Sequence, residues 1–269
     1  RYHMRIAFIG GGIMAEAIIS GIIESRIAIP EEIRVGEPIE ARRRYLEDTY
    51  ALSAYSNNKT ALDAAALTIL AVKPQSLSYV LPTLKGTLDE NNVVISIVAG
   101  GSMQMLADGL NHQAIIRVMP NTPAQIRAGM SVWTSSSSVS EDKRSTTKRI
   151  LGTLGEEFYT DDENFIDMAT ALSASGPAYV LLFIESLIDA GVYLGMARDA
   201  ARELTLQTML GTTQLVKETG RHPADLKDMV TSPGGTTIEA LRAFENGGFR
   251  ATIFSAVKAA HQKSQELGG

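Results

Sequence analysis

The feature that most constrains the fold is a glycine turn in residues 5–17, RIAFIGGGIMAEA, which joins a short apolar run to an apolar, helix-prone segment. Gly10, Gly12 and Ala15 have the spacing of the dinucleotide-binding fingerprint, in its form with alanine at the last position. Gly10 permits a sharp turn, Gly12 leaves room for a pyrophosphate, and Ala15 lets the helix pack closely on the sheet. The stretch therefore predicts a strand, a tight turn and a helix whose N-terminus faces phosphates. The alternative is an ordinary strand-to-helix turn that binds no ligand.

Composition limits the function classes that need to be considered. The chain has 269 residues, of which 45% are apolar, and a net charge of -5. These values are typical of a globular protein with two domains and no basic surface for nucleic acid. Cysteine is absent, which excludes zinc-thiolate sites and is compatible with the cytoplasm, and we expect no bound metal.

The sequence also leads to expectations about membrane spans, a signal peptide and the first three residues. No apolar run approaches the ~20 residues of a membrane span, so we expect no membrane partner. The first apolar run is broken by the glycines, so we expect no signal peptide. Residues 1–3 precede a natural start at Met4, and we expect them to be foreign to the natural chain.

The second strand is predicted to end near Glu37, in IRVGEP. An acid at this place accepts hydrogen bonds from the adenine ribose and repels a 2′-phosphate, which favours NADH. Arg42, Arg43 and Arg44 follow on the next helix and would suit a 2′-phosphate, which favours NADPH. The cofactor choice stays open, and for the arginines we favour the alternative of a solvated helix face. Asn58 lies in a polar turn, where asparagine is also a good cap residue.

Three more apolar runs, residues 67–74, 92–101 and 115–126, are predicted to contain strands that alternate with amphipathic helices. This alternation is the signature of a doubly wound parallel α/β sheet, which binds ligands at the carboxyl ends of its strands. The residues that follow these strands are therefore candidate cofactor contacts: Ala71, Val72, Lys73, Pro74, Ala99, Gly100 and Asn121. For the Asn121 loop, which is stiffened by two prolines, the alternative is a rigid turn.

The composition changes in the second half of the chain. A serine-rich loop leads into a helix capped at Ser140, and a last strand, EEFYTD, closes the first domain. Strand signals then almost disappear, which predicts a dinucleotide-binding domain over residues 4–162 and an all-helical domain over residues 163–269. Residues 177–196 are apolar nearly all round. Such a helix must be buried in a bundle or against another subunit, and we favour a helical dimer interface.

Two stretches of the helical domain indicate chemistry. SASGPAY, residues 173–179, suits the first turn of a helix. In DMVTSPGGTTIEALRAFE, Gly234 and Gly235 form a turn, and Thr236 and Thr237 follow as caps of a helix. Backbone amides and a hydroxyl at a helix N-terminus make an anion nest, a site for a small anion such as a carboxylate. The alternative is an ordinary capped helix start.

Together these stretches resemble one family. IGGGIMA, AVKP, MPNTP, SASGPAY and KDMVTSPGGTTIEAL occur in the order found in pyrroline-5-carboxylate reductases, over essentially the whole chain. The resemblance implies a Rossmann-type doubly wound sheet, then a helical dimerisation domain that interlocks with a second subunit, in dimers that often form decamers. It also implies hydride transfer from NADPH or NADH to the C=N bond of 1-pyrroline-5-carboxylate, giving L-proline in the last step of proline biosynthesis.

The resemblance further implies roles for individual residues. The substrate-binding residues would be Glu163, Ser175, Gly235, Thr236 and Thr237, with Thr237 as the candidate catalytic residue. The cofactor-binding residues would be Gly10, Gly11, Gly12, Ile13, Met14, Ala15, Glu37, Asn58, Ala71, Val72, Lys73, Pro74, Ala99, Gly100 and Asn121. Some members carry serine at the Glu37 position, so the resemblance leaves the choice between NADH and NADPH open.

The reaction needs little acid or base from the protein, because a protonated cyclic imine already accepts hydride. The protein mainly has to position the reactants, and the hydroxyl of Thr237 or a nearby water could settle the ring nitrogen. The four histidines, His3, His112, His222 and His261, are expected to be structural or solvated.

Three alternatives remain at this point. A reductase of the same architecture could act on another cyclic imine or on a β-hydroxy acid. The latter reaction would need a lysine general acid, and Lys217, Lys227, Lys258 and Lys263 lie in no small-residue context. A nucleotide-binding regulator without catalysis is the second alternative, against which the intact anion nest argues. A purely structural oligomer is the third, and it would leave the glycines and SPGGTT unexplained.

Overall fold

The structure is a computed structural model that describes residues 4–268. The segment expected to precede the natural start, which includes His3, lies outside the described residues. Within them, eight strands form one sheet: β1 (Ile6–Ile9), β2 (Ile33–Gly36), β3 (Ser53–Tyr55), β4 (Leu67–Leu70), β5 (Val93–Ser96), β6 (Ile115–Met119), β7 (Gly129–Ser135) and β8 (Gly155–Tyr159). Their order across the sheet is β3-β2-β1-β4-β5-β6-β7-β8. The order reverses next to β1, which confirms the doubly wound α/β class.

Helices cover both faces of this sheet, as the apolar runs require. The helices that follow the strands are α1 (Ile13–Glu24), α2 (Glu40–Tyr50), α3 (Asn58–Leu62), α4 (Leu77–Leu84), α5 (Met103–Leu110), α6 (Glu141–Gly152) and α7 (Asn164–Ala169). Ile6 and Phe8 of β1 belong to one buried cluster, and Ala7 and Ile9 belong to another. Because successive side chains point to opposite faces, a strand buried on both sides has to be apolar at every position.

One strand pairing differs from the predicted all-parallel sheet. β7 pairs with β6 in the antiparallel direction, in a register that places Val118 opposite Trp133. The connection, residues 120–128, holds a short 3₁₀ turn, Thr122–Ile126, and is too short for the crossover that a parallel pair needs. β8 then returns parallel to β7, and Ser140 caps α6 by accepting the backbone N–H of Lys143, as expected.

The single tryptophan lies in the core of this sheet. The side chain of Trp133 is 3% exposed, and its Nε1 donates a hydrogen bond to Glu157 Oε2 across 2.6 Å. Its ring meets that of Tyr159 edge to face, with 4.7 Å between the ring centroids. The antiparallel addition to the sheet is therefore anchored by an aromatic pair and a buried indole.

The chain divides into two compact units. The sheet unit runs to Ser175 and takes up the chain again from Ala260, and the helical unit is Gly176–Ala259. The sheet unit thus extends past the expected domain end at residue 162. It does so because Ile166 and Ala169 of α7 are buried against Met119 of β6.

The helical unit and the C-terminal helix contain the remaining elements. These are α8 (Gly176–Tyr193), α9 (Arg198–Thr219), α10 (Pro223–Met229), α11 (Thr236–Asn246) and α12 (Phe249–Gly268), whose last turns belong to the sheet unit. Between residues 164 and 268 the structure has no strand, as predicted. Inside the helical unit, the rings of Phe183, Phe244 and Phe249 form a cluster with centroids 5.1 to 6.4 Å apart.

The apolar helix α8 is only partly covered by its own chain. None of its residues is buried, and Leu182 is 67% exposed. Residues 164–193, which include α8, form the helical stretch that by length and composition alone could cross a membrane. This finding departs from the expectation that no apolar run approaches a membrane span, because the helical stretch continues through α7 into α8. The exposed apolar side chains are also what a helix that packs on another subunit presents.

Candidate functional site

The turn after β1 has the conformation that its glycines predict. Gly10 has φ +98°, and a Cβ atom there would lie 2.5 Å from the carbonyl oxygen of Ala71. Gly10 N donates to Gly36 O and Ala71 N donates to Ile9 O, both at 2.8 Å. The carboxyl ends of β1, β2 and β4 are therefore drawn together at a position that only glycine can occupy.

The start of α1 is open in the way that a phosphate site requires. Gly12 is its N-cap, without a side-chain cap hydrogen bond, and a Cβ atom at Gly12 would meet no atom within 4 Å. The first-turn residues Ile13 and Met14 follow, and Ala15 is buried against the sheet. Free amides with open space before them fit the pyrophosphate of a dinucleotide, so the residues present suit the cofactor that the fingerprint indicates.

Glu37 lies at the end of β2 and is 8% exposed. Its Oε2 accepts the backbone N–H of Gly11 at 2.9 Å, and its Oε1 accepts the N–H of Ile39 at 3.0 Å. The expected acid is therefore held by two backbone amides directly beside the glycine turn.

The arginines after Glu37 differ from the favoured interpretation of a solvated helix face. Arg42 Nε donates to Gly11 O, and Arg42 Nη2 donates to Glu16 Oε2, both at 2.5 Å. Arg43 Nη1 donates to the carbonyl oxygens of Glu37 at 2.8 Å and of Pro38 at 2.9 Å. The interpretation is therefore wrong for these two residues, because α2 starts directly after β2 and its first turn returns to the glycine turn.

Arg44 alone fits the expected solvated face. It is exposed and pairs with Glu40 one turn earlier on the same helix.

Sequence reasoning missed Glu16, which lies in the first turns of α1. Glu16 Oε1 accepts the hydroxyls of Tyr45 at 2.7 Å and of Tyr50 at 2.8 Å, in addition to the Arg42 ion pair. Burial raises the pKa of the Glu16 carboxyl, but the hydrogen bonds from Tyr45, Tyr50 and Arg42 outweigh burial and lower it. The available signal was an acid in the first turns of a mainly apolar helix.

Asn58 begins α3 and lies against the backbone of β2. A Cβ atom at Gly36 would lie 2.3 Å from Asn58 Oδ1, so the two residues fit only because Gly36 has no side chain. The cap of α3 is Asn57, whose Oδ1 accepts the N–H of Lys59 at 2.9 Å. Asn58 thus faces the end of β2 near Glu37, as a cofactor contact would require.

A cavity of about 660 Å³ lies beyond the ends of β4 and β5 in the sheet unit. It brings together the predicted residues Pro74, Ala99 and Gly100. Ala71, Val72 and Lys73 lead from β4 to this cavity. Leu267, from the end of α12, also lines it, and a Cβ atom at Gly100, which has φ +80°, would lie 3.0 Å from Leu267 O. The cavity walls are mainly aliphatic, which suits a flat ring better than a charged group.

The side chain of Asn121 makes two hydrogen bonds within the protein. Its Oδ1 accepts the N–H of Met130 at 2.8 Å, and its Nδ2 donates to the carbonyl oxygen of Ser173 at 3.1 Å. The side chain therefore fastens the β6–β7 connection to the segment before α8, as the rigid-turn alternative predicts. One amide hydrogen remains for the predicted cofactor contact.

Glu163 precedes α7, and its side chain also accepts hydrogen bonds from within the protein. Its Oε1 accepts the N–H of Met103 at 2.7 Å and the Nη1 of Arg117 at 3.1 Å. Arg117, on β6, is 3% exposed, and its Nη2 lies 3.7 Å from Asp167 Oδ1, which in turn accepts the hydroxyl of Ser264. Sequence reasoning missed this cluster, whose signal was one arginine inside an apolar strand.

Ser175 lies at the end of a π-helical turn, Thr170–Ala174, that was not predicted. Ser175 N donates to Thr170 O at 2.9 Å, five residues earlier. The next helix begins at Gly176, with Pro177 in its first turn, as expected for this sequence. Such π-turns are frequent at functional sites, which is consistent with the role implied for Ser175.

In the helical unit, the SPGGTT segment forms an open helix start. Gly234 has φ +65°, and Gly235 is the N-cap of α11, without a side-chain cap hydrogen bond. The expectation that Thr236 and Thr237 act as caps is therefore wrong, because Gly235 occupies the cap position and the threonines form the first turn. The uncapped amides and the Thr237 hydroxyl make the anion nest more available than a capped helix would.

The histidines in the described residues have structural surroundings. His112 Nε2 hydrogen-bonds the carbonyl oxygen of Asn92 at 2.6 Å, and His222 Nδ1 accepts the N–H of Ala224 as the cap of α10. His261 lies half-buried on α12. Residues 4–268 contain no group of three acidic or histidine side chains arranged to hold a metal ion.

Two family models match the chain. One, described as pyrroline-5-carboxylate reductase dimerisation, matches residues 163–267, and the other, described as NADP oxidoreductase, coenzyme F420-dependent, matches residues 5–100.

Individual relatives match over nearly the full length. The pyrroline-5-carboxylate reductase of Synechocystis is 47% identical over 265 residues, and that of Escherichia coli is 39% identical over 264 residues, with 98% of each chain covered in both cases. Among solved structures, the Plasmodium falciparum pyrroline carboxylate reductase with NADP bound superposes with a TM-score of 0.90 at 33% identity. That match covers 99% of this chain and 98% of the other.

Proposed function

Since this chain belongs to the pyrroline-5-carboxylate reductase family, we propose that its glycine turn and its anion nest hold the two reactants of the family's reaction. The chain is an NAD(P)H-dependent oxidoreductase that reduces the C=N bond of 1-pyrroline-5-carboxylate to give L-proline, the last step of proline biosynthesis. The observation that carries the assignment of residues is the pair of uncapped, glycine-started helices, α1 and α11.

The first helix start serves the cofactor. Gly10 to Ala15 hold the pyrophosphate on the free amides of α1, while Glu37 and Asn58 contact the adenine ribose at the end of β2. Pro74, Ala99 and Gly100 line the cavity beyond β4 and β5, and Ala71, Val72 and Lys73 lead from β4 to it. When bound, the cofactor supplies the hydride that the imine carbon accepts.

The second helix start serves the substrate. The carboxylate of 1-pyrroline-5-carboxylate binds to the amides of Thr236 and Thr237, where the helix N-terminus carries partial positive charge. Gly235, whose N–H donates to Ser232 O, contributes as the N-cap that leaves room for the carboxylate. The hydroxyl of Thr237, directly or through a water, holds the ring nitrogen. Glu163 and Ser175 contribute to substrate binding.

The protein acts mainly by positioning, because the protonated imine nitrogen needs no acid from the chain. Hydride adds to the imine carbon, the C=N double bond becomes a single bond, and its electron pair stays on the nitrogen. Hydride transfer requires the imine carbon at roughly 3–3.5 Å from the donating carbon of the cofactor, and holding the substrate carboxylate restricts where the imine carbon can lie. No histidine or lysine is needed for this step.

The chain self-associates through its dimerisation domain. We propose a homodimer in which the exposed apolar side chains of α8 are covered by the partner, with further assembly into a decamer. The exposure of Leu182 and its neighbours on α8 supports this proposal. We also propose a cytoplasmic location, supported by the absence of cysteine.

The test follows the oxidation of NADH and NADPH with 1-pyrroline-5-carboxylate and with the cyclic imine that lacks the carboxylate. Rapid turnover that depends on the carboxylate is expected. Equal turnover of both imines would overturn the role of the anion nest, and cofactor binding without turnover of either would favour another substrate.

A further inference from the structure

Gly11, in the glycine turn, is contacted at its N–H by a carboxylate and at its carbonyl oxygen by a guanidinium. Gly11 N donates to Glu37 Oε2 at 2.9 Å, and Gly11 O accepts from Arg42 Nε at 2.5 Å. Both side chains therefore lie beside the end of β2, where this fold distinguishes a free ribose from a phosphorylated one. A carboxylate suits the ribose diol of NADH, and a guanidinium suits the 2′-phosphate of NADPH. The cofactor preference therefore depends on which neighbouring groups neutralise the carboxylate of Glu37 and which neutralise the guanidinium of Arg42.

The charge of Arg42 is neutralised by a second carboxylate, that of Glu16. Its Nη2 forms a 2.5 Å ion pair with Glu16 Oε2, and its guanidinium carbon lies 4.9 Å from the centre of the Tyr45 ring. Glu16 is held in turn by the hydroxyls of Tyr45 and Tyr50. Since these hydrogen bonds lower its pKa, Glu16 is charged at neutral pH, and the ion pair persists under working conditions.

The other arginine near this place is turned toward the backbone. Arg43 Nη1 donates to the carbonyl oxygens of Glu37 and Pro38. Its guanidinium thus supports the end of β2, and Glu37 remains the acid closest to the glycine turn.

We propose that Glu16 sets the cofactor preference: by pairing with Arg42, it leaves Glu37 as the dominant charge beside the ribose and favours NADH over NADPH. This inference rests on the proposed function of the glycine turn as the cofactor site. Glu16 is a positioning residue here, because it acts through Arg42.

The variant that tests the inference is Glu16→Gln. The amide has the same size and still accepts the two tyrosine hydroxyls, but it cannot neutralise Arg42. Dissociation constants for NADH and NADPH are measured by fluorescence titration without substrate, and kcat/KM is measured for both cofactors with 1-pyrroline-5-carboxylate. We expect the unmodified protein to bind NADH about tenfold more tightly than NADPH. In the variant, NADPH should bind about tenfold more tightly than before, while NADH changes by less than about twofold.

The matched control is Glu24→Gln, which removes an arginine ion pair from the other end of the same helix. Glu24 pairs with Arg127 on the protein surface, so neither dissociation constant should change. Tighter binding of NADPH than NADH by the unmodified protein would overturn the inference. An equal loss of affinity for NADH and NADPH in Glu16→Gln would also overturn the inference, because Glu16 would then only support the conformation of the glycine turn.

The binding measurement and the turnover measurement together distinguish a failure of this inference from a failure of the proposed function. Turnover of 1-pyrroline-5-carboxylate with no difference between the cofactors would overturn the inference alone. A cofactor preference in binding that Glu16→Gln abolishes, without turnover of the imine, would support the inference and overturn the proposed substrate.

Discussion

The buried guanidinium of Arg117 and the carboxylate of Glu163 share one hydrogen bond of 3.1 Å, and the same carboxylate oxygen receives the backbone N–H of Met103. One side chain thus ties β6 to the start of α5 and to the segment that opens α7. Glu163 is therefore a fixed part of the sheet unit as well as a proposed substrate contact.

Replacing Glu163 by alanine should lower the free energy of unfolding by about 3 kcal/mol, because Arg117 would stay buried with only Asp167 near it. Thermal unfolding at one protein concentration measures this change. Glu163→Gln keeps the acceptor for Met103 N and should cost less. A raised KM in Glu163→Gln, with little loss of stability, would assign the substrate contact to the carboxylate itself.

Gly12→Val should abolish cofactor binding and leave the fold intact, since a side chain at Gly12 points into open space before the amides of α1. We expect at least about 100-fold weaker NADH binding, with an unchanged far-ultraviolet circular dichroism spectrum. Gly10→Ala is the contrasting variant and should destabilise the protein, because its Cβ would clash with Ala71 O. Retained NADH affinity in Gly12→Val would contradict the assignment of the turn.

Thr237→Ala should raise the KM for 1-pyrroline-5-carboxylate by about tenfold or more, through the loss of a hydrogen bond to a charged group. Thr237→Ser, which keeps the hydroxyl, is the control and should stay close to the unmodified protein. If both variants keep the original KM, the hydroxyl does not contact the substrate.

Glu37→Ser should shift the ratio of kcat/KM values toward NADPH by about tenfold, because the carboxylate that repels a 2′-phosphate is removed. Steady-state kinetics with each cofactor gives the ratio. An unchanged ratio would mean that Glu37 only accepts hydrogen bonds from the backbone amides of Gly11 and Ile39 and does not affect cofactor choice.

The Glu16 cluster should make stability depend on pH in the acid range. The pKa of Glu16 is lowered below its usual 4.5, so its contribution is fully present above that value and is lost as the pH falls through the folded-state pKa. The difference in melting temperature between the unmodified protein and Glu16→Gln should therefore shrink as the pH falls below 4.5. A difference that stays constant over that range would exclude a contribution from the ionised carboxyl.

Local signals predicted much of this architecture. The strand, glycine turn and helix of residues 5–17, the Ser140 cap and the helix start at Gly176 each depend on neighbours in the sequence, so they could be predicted from it. The antiparallel β7 and the corrected positions of Thr236 and Thr237 depend on how short a connection is and on which residue takes the N-cap, which propensities specify poorly.

Contacts between distant parts of the chain could not be predicted. Glu16 meets Tyr50 from 34 residues away, and Arg117 meets Glu163 from 46 residues away. Glu16 and Arg117 look like isolated charges among apolar residues in the sequence, and only the packing of α2 on α1, or of α7 beside β6, shows their partners.

The position of Trp133 allows the unfolding of the sheet unit to be followed separately by tryptophan fluorescence. The only indole of the chain is buried in the sheet unit and bonded to Glu157, whereas the helical unit contributes no indole emission. Tryptophan fluorescence therefore follows the melting of the sheet unit alone, while circular dichroism at helix wavelengths follows both units, since each contains about half of the helical residues. Coincidence of the two melting curves would show that both units unfold as one cooperative block, and their separation would reveal an intermediate with one unit still folded.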